Sequence, residues 1–170
     1  MKTFLSALCI SVFLFSCETS DENAMDSDLT GNEVTYSLFQ GSLYAVSGNV
    51  SIKEKKDGSA LVELSLTGTE GEHYHPVHLH FGNIADDNAD LAASLNPIYG
   101  KTGKSKTTLS FLADESPITY NDLKGLDACI KVHLSEAGPE RDIILAGGNI
   151  GAASNTLSGG RIKIAICKSE

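Results

Sequence analysis

From Val34 onward the chain alternates short apolar-periodic runs with turn residues at intervals of roughly ten, and no stretch sustains a helical period over several turns. Such a rhythm leaves room for an all-β sandwich or barrel and little else. Its clearest unit is a hairpin. Asn49 to Lys53 alternates, Lys56-Asp57-Gly58 turns, and Ala60 to Leu66 alternates again. Asp-Gly between two alternating runs is a strong local hairpin signal. Further strands are expected at Ser37 to Ala45, Val77 to Phe81, Lys106 to Leu112, Ala128 to Leu134, Ile143 to Leu145 and Arg161 to Cys167. The Ala- and Asp-rich stretch from Ile84 to Leu95 suggests a single helical turn, and no internal repeat is visible.

At 170 residues and 41% hydrophobic, the chain is long enough to bury one ordinary core. Acidic residues outnumber Lys and Arg by 22 to 13, for a formal net charge of −9. With the basic side chains scattered, nucleic acid is excluded as a partner, because its recognition needs a concentrated positive patch. No protein partner can be read from the residues.

Met1-Lys2-Thr3 followed by the apolar run Phe4 to Phe15 has the form of an export signal, too short to span a bilayer. It ends in Leu14-Phe15-Ser16-Cys17, which resembles a lipobox with Cys17 as lipid acceptor. The expected organisation is a signal over residues 1–16, a lipidated Cys17 with an acidic tether over 17–32, and a β domain over 33–170. The membrane would then be a partner through the lipid alone, placing the domain in a bacterial cell envelope, on an outer membrane facing periplasm or cell surface. Cys9 and Cys17 belong to the signal, leaving Cys129 and Cys167 as an even pair in an oxidising compartment.

All five histidines fall at two places: His73, His75, His78 and His80 inside eight residues, and His133 on a later strand. Alternate residues of a strand share a face, so His78 and His80 point one way while Val77, Leu79 and Phe81 point into the core. By the same alternation Ile130, Val132 and Leu134 point inward, and Cys129, Lys131 and His133 outward. Two imidazoles one residue apart on a rigid strand form a chelating edge that a third ligand can complete. Imidazole suits copper or zinc rather than calcium or magnesium. Taken singly, each His reads first as a tolerated polar residue on a strand, and it is four of the five within one eight-residue window that bring the metal reading level with it.

The run Gly48 to Ile52, Lys56-Asp57-Gly58, Gly68 to His73 and His78-Leu79-His80-Phe81-Gly82 resembles the hairpin and copper-ligand strand of copper/zinc superoxide dismutases. Val132-His133 is similar to the later strand that supplies another copper ligand in that family. His75-Pro76-Val77-His78-Leu79-His80, Leu95-Asn96-Pro97, Thr102-Gly103, Ile118-Thr119-Tyr120, Asp122-Leu123 and Val132-His133-Leu134-Ser135 resemble the CHRD-domain lipoproteins of Bacteroidetes, which are largely without an assigned activity. Together these resemblances imply an Ig-like or superoxide-dismutase-like Greek-key β-sandwich or flattened barrel. They imply metal ligation by His78, His80 and His133, with His75 as fourth ligand and His73 last in order. The dismutase-like strand order also implies that Cys129 and Cys167 lie within bonding reach. The chain departs from the dismutases in having no His between Phe81 and Lys131, so the bridging imidazole and the zinc site have no counterpart. Arg161 corresponds only loosely to that family's anion-guiding Arg.

Three functions compete on these grounds. One is an envelope lipoprotein holding one copper or zinc ion, another a copper-only superoxide dismutase, and the last an adhesion or interaction module whose histidines are incidental. No catalytic Ser-His-Asp, Cys-His or paired-carboxylate arrangement is visible, since every His already belongs to the metal candidate.

Overall fold

The computed structural model describes residues 28–87, 89–153 and 164–165. Eight antiparallel strands close into a barrel: β1 (Leu29–Gln40), β2 (Ser47–Lys55), β3 (Ala60–Thr67), β4 (Tyr74–Phe81), β5 (Leu91–Tyr99), β6 (Lys104–Leu109), β7 (Asp127–His133) and β8 (Ile144–Gly151). Their order around the barrel is β1-β2-β3-β6-β5-β4-β7-β8, with β8 returning to pair with β1. Closure leaves none of these eight as an edge strand to template pairing with another chain. Two connections, β3 to β4 and β6 to β7, pass over strands they do not pair with, and this brings β4 and β7 side by side.

The β2–β3 hairpin forms as its alternation dictates. Val50 pairs with Leu64 and Ile52 with Val62, all four at most 2% exposed. At its turn Gly58 has φ +86, and the Asp57 carboxylate accepts hydrogen bonds from the Ser59 N–H (2.9 Å) and hydroxyl (2.6 Å). The barrel interior gathers Leu38, Val50, Ile52, Val62, Leu64, Val77, Leu79, Leu95, Ile98, Ile130, Val132, Leu145 and Ile150 into one core.

Several elements differ from the expectations above. The barrel begins at Leu29, ahead of residue 33, and a strand rather than a helical turn fills Leu91 to Leu95. Ala92 and Ala93 there are buried beneath the barrel wall, so their small size reflects packing rather than helix preference. Pro76 and Asn96-Pro97 sit where the β4–β5 ladder shifts register between His75–Ile98 and Val77–Leu95, a place where a missing N–H costs no ladder bond. Among the described residues only Tyr99 and Lys104 pair between β5 and β6. Side chains close the rest of that seam: Asn96 Nδ2 donates to the Lys106 carbonyl (2.7 Å), the Asn96 N–H to Thr107 Oγ1 (2.8 Å), and Ser105 Oγ to the Asn96 carbonyl (2.6 Å). A short helix, α1 (Tyr120–Gly125), lies in the β6 to β7 connection. A reciprocal cap starts it, the Asp122 N–H donating to Thr119 Oγ1 and the Thr119 N–H to Asp122 Oδ2. Phe81, expected in the core, is 37% exposed because it ends its strand. The strand expected at Arg161 to Cys167 lies outside the described residues apart from Ile164 and Ala165.

Where β8 crosses β1 the backbones approach so closely that a Cβ on Gly148 would stand 2.3 Å from the Ser37 carbonyl oxygen. Gly125, at the end of α1, has open space around its missing Cβ. Gly148→Ala is therefore expected to destabilise the barrel by about 1–3 kcal/mol. Gly125→Ala should be neutral or add up to about 1 kcal/mol. Urea denaturation of both variants compares them directly.

Candidate metal centre

The site is built on the outer face of the β4–β7 pair. Val77 opposite Val132 and Leu79 opposite Ile130 point into the core. The intervening pairs, His78 opposite Lys131 and His80 opposite Cys129, point the other way together with His133. That much follows from alternation, but the expectation that this face meets solvent does not hold. Cys129 and Lys131 are 0% exposed and His133 only 5%. A second layer covers them. The loop after β4 lays Ile84 (0% exposed) over the face, where its Cδ1 occupies the space a side chain on Gly147 would fill. The Ile84 N–H donates to Asn149 Oδ1 (2.7 Å), and the Ile84 carbonyl accepts from the Ala165 N–H (2.9 Å). Ala165 in turn accepts from Lys131 Nζ (2.9 Å). Ile84, Cys129 and Ala165 are buried yet lie outside the main core, as a separate outer layer requires.

On the same outer face the imidazoles of His78, His80 and His133 converge. Their ring centroids stand 4.7 Å apart for His78 and His133 and 5.8 Å for His78 and His80. One ligand nitrogen from each lies within 4.8 Å of the others, and no other group of three His, Cys, Asp or Glu among the described residues comes together in this way. Nitrogens bound to one zinc at about 2.0–2.1 Å stand about 3.4 Å apart, so ring adjustments of about an ångström complete the approach.

Backbone carbonyls choose the tautomers. His80 Nδ1 lies 2.9 Å from the Ala89 carbonyl and His133 Nδ1 2.8 Å from the Arg141 carbonyl. A carbonyl only accepts, so Nδ1 carries the proton in both rings and Nε2 presents its lone pair. For His133 that Nε2 is buried and has no hydrogen-bond partner. This is the usual support of a metal-binding imidazole, in which the far nitrogen is anchored and the near one is left bare. The three histidines have pKa values below the ordinary histidine range, with burial the largest cause in each. His78 is pushed down to about 4, its neighbours His133, His80 and Arg141 adding to the effect of desolvation. The rings are thus held neutral, the form in which they ligate.

His75 stands apart from this group. It is 2% exposed, its Nδ1 faces the Leu134 carbonyl at 3.1 Å, and its ring meets His73 edge-on at 4.8 Å. The register shift at Pro76, between His75 and the other two on its strand, explains the separation. Cys17, Arg161 and Cys167 lie outside the described residues, while Cys129 is buried opposite His80. Lys131, which alternation places in solvent, is wholly buried on this face and donates to the Ala165 carbonyl.

No protein-family model matches the chain, and no curated protein is similar enough to it to be matched. Among the described residues no helix is long and apolar enough to cross a membrane.

The lowered histidine pKa values set a pH dependence for the metal-free protein. Between the unfolded value of 6.5 and the folded value of about 4 for His78, the unfolded chain binds more protons than the folded one. Stability is then fully present above 6.5 and declines as pH falls toward 4, by about 1–2 kcal/mol from His78, whose partial exposure screens the effect. His80 and His133 act in the same direction. Carboxylates with lowered values, such as Asp57 and Asp122, lose their contribution only near and below their ordinary value of 3.8. Urea midpoints measured across this range should fall with pH in the wild type and flatten in His78→Gln.

Proposed function

We propose that this chain is an envelope lipoprotein, anchored through Cys17, whose barrel holds a single copper or zinc ion on His78, His80 and His133. The observation that carries the reading is the buried Nε2 of His133, without a hydrogen-bond partner while Nδ1 is tied to the Arg141 carbonyl. An unsatisfied buried polar atom costs about 1–3 kcal/mol, a cost that coordination removes. Incidental histidines on a strand would face water, whereas these are drawn together with His80 and His133 each only 5% exposed. The adjacency of β4 and β7 brings the H-x-H strand and the later V-H strand of this chain together, the arrangement that the resemblance to copper/zinc superoxide dismutases implies.

A bound copper ion would supply a one-electron couple, and zinc a Lewis acid. The chain's own residues hold three imidazoles neutral, fix two tautomers and keep bulk water from two of the rings. They do not provide a further imidazole beside these three to pass a proton. His73 is exposed and His75 is committed to Leu134, which accounts for all five histidines. The site is therefore read as a binding centre rather than a dismutase.

Elemental analysis of the purified full chain, after titration with copper or zinc and desalting, is expected to give one ion per chain, reduced below a tenth of that in His78→Ala/His133→Ala. Absence of stoichiometric metal in the wild type would favour the interaction-module reading. Loaded with copper, the protein should turn over superoxide far below the diffusion ceiling of about 10⁸–10⁹ M⁻¹s⁻¹. A rate near that ceiling, lost in His133→Ala, would establish catalysis instead. Separately, Cys17→Ser should move the protein from the membrane fraction to the soluble one.

A further inference from the structure

The four histidines that crowd one window of the sequence divide in the structure, and the site described above uses only half of them. His73 and His75 repeat the spacing of His78 and His80, but on the far side of the register shift at Pro76. Each is held in place. The His73 carbonyl accepts from the Gly100 N–H (2.9 Å), which ties its loop to the β5–β6 turn. Its ring lies over Gly71, where a Cβ would stand 2.5 Å from the imidazole Cε1. His75 Nδ1 lies 3.1 Å from the Leu134 carbonyl, so that nitrogen carries the proton and Nε2 the lone pair. Although His75 is 2% exposed, its Nε2 has no hydrogen-bond partner among the described residues. The same support, far nitrogen on a carbonyl and near nitrogen bare, holds His133.

The spacing of the rings suits an ion. Two imidazoles sharing one ion at about 2.0–2.1 Å from each nitrogen have ring centroids roughly 4.5 Å apart when the bonds meet at a right angle and roughly 6.4 Å apart when they are collinear. The 4.8 Å between His73 and His75 falls inside that span, as do the 4.7 and 5.8 Å of the buried trio. The loop carrying His73 also brings Glu70 and Glu72, and Lys101 pairs with Glu72 at 3.4 Å. Its surplus carboxylate favours a cation.

We infer that His73 and His75 form a second metal site, a two-imidazole position for a divalent transition ion, copper(II) ahead of zinc, with water in the remaining positions. It shares no ligand with the buried trio and goes beyond that reading. Imidazole pairs suit copper and zinc rather than calcium or magnesium, and at a given nitrogen site copper(II) binds more tightly than zinc. With only two protein ligands, one of them at the surface, the ion exchanges with solvent and is stripped by desalting. The ion kept after desalting is then that of the trio alone, whereas titration at equilibrium reads both sites.

The test is isothermal titration calorimetry of the full chain in detergent, near neutral pH, with copper(II) and separately with zinc. The wild type is compared with His73→Ala, with His78→Ala/His133→Ala and with the triple variant. His73 is exposed, so its replacement leaves the barrel intact, as circular dichroism will report. The expected result is two ions per chain in the wild type, one in His73→Ala, one in the double variant and none in the triple, with copper(II) the tighter ion at the second site. Electron paramagnetic resonance of the copper-loaded double variant should show coupling to two imidazole nitrogens. Coupling to one nitrogen only, no ion in the double variant, or uptake there that His73→Ala leaves unchanged would overturn the paired site. If the wild type keeps no ion after desalting yet binds one at equilibrium that His73→Ala abolishes, the buried site falls and this one stands.

Discussion

A single register, Val77 opposite Val132, organises the molecule. It fixes which face of β4 and which face of β7 enter the core together, and a slip of one residue would invert one strand against the other, taking either Val77 and Leu79 or Ile130 and Val132 out of the core. Apolar burial on the inner face is worth about 1.5–3 kcal/mol for each such side chain, so the register is enforced by packing that has nothing to do with the site. The histidines inherit their positions from it. His78 and His133 meet diagonally across the ladder, where long side chains still reach each other, with ring centroids 4.7 Å apart.

Whatever alternation alone encodes is correspondingly legible in the residues. The Asp57-Gly58 hairpin, the all-β class and the common face of His78, His80 and His133 each depend on a period of two, which the sequence carries directly. Features that depend on what lies across from a strand are not legible in this way. Alternation puts Lys131 and Cys129 in solvent because a strand cannot announce that a loop folds back over it, and Ile84 gives no local sign that it does so. The strand at Leu91 to Tyr99 is obscured by Ala92, Ala93 and Pro97, whose suitability comes from tight packing and a ladder irregularity rather than from β propensity. Helix α1 is the exception. Thr119 and Asp122 have the spacing of a reciprocal cap, a signal sufficient to reveal it.

The outer layer differs in kind from the core. Inside, packing of aliphatic side chains tolerates exchange among shapes of similar volume. Outside, Asn149, Lys131, His80 and His133 are each tied to a backbone group, and each tie is a separate polar requirement. Such a network rigidifies a site when all its members are satisfied and becomes costly when one is not. Stability is thus carried by the inner face of β4 and β7, while the outer face of the same strands places the three histidines.

The carbonyls of Ala89 and Arg141 belong to two different loops, each gripping one ring by its far nitrogen. Neither ring can swing away while its loop stays closed, and neither loop can lift without releasing its ring. An ion gripped by His80 and His133 would in turn hold both rings against their carbonyls. Occupancy would act as a latch that slows amide hydrogen exchange in two segments remote in sequence.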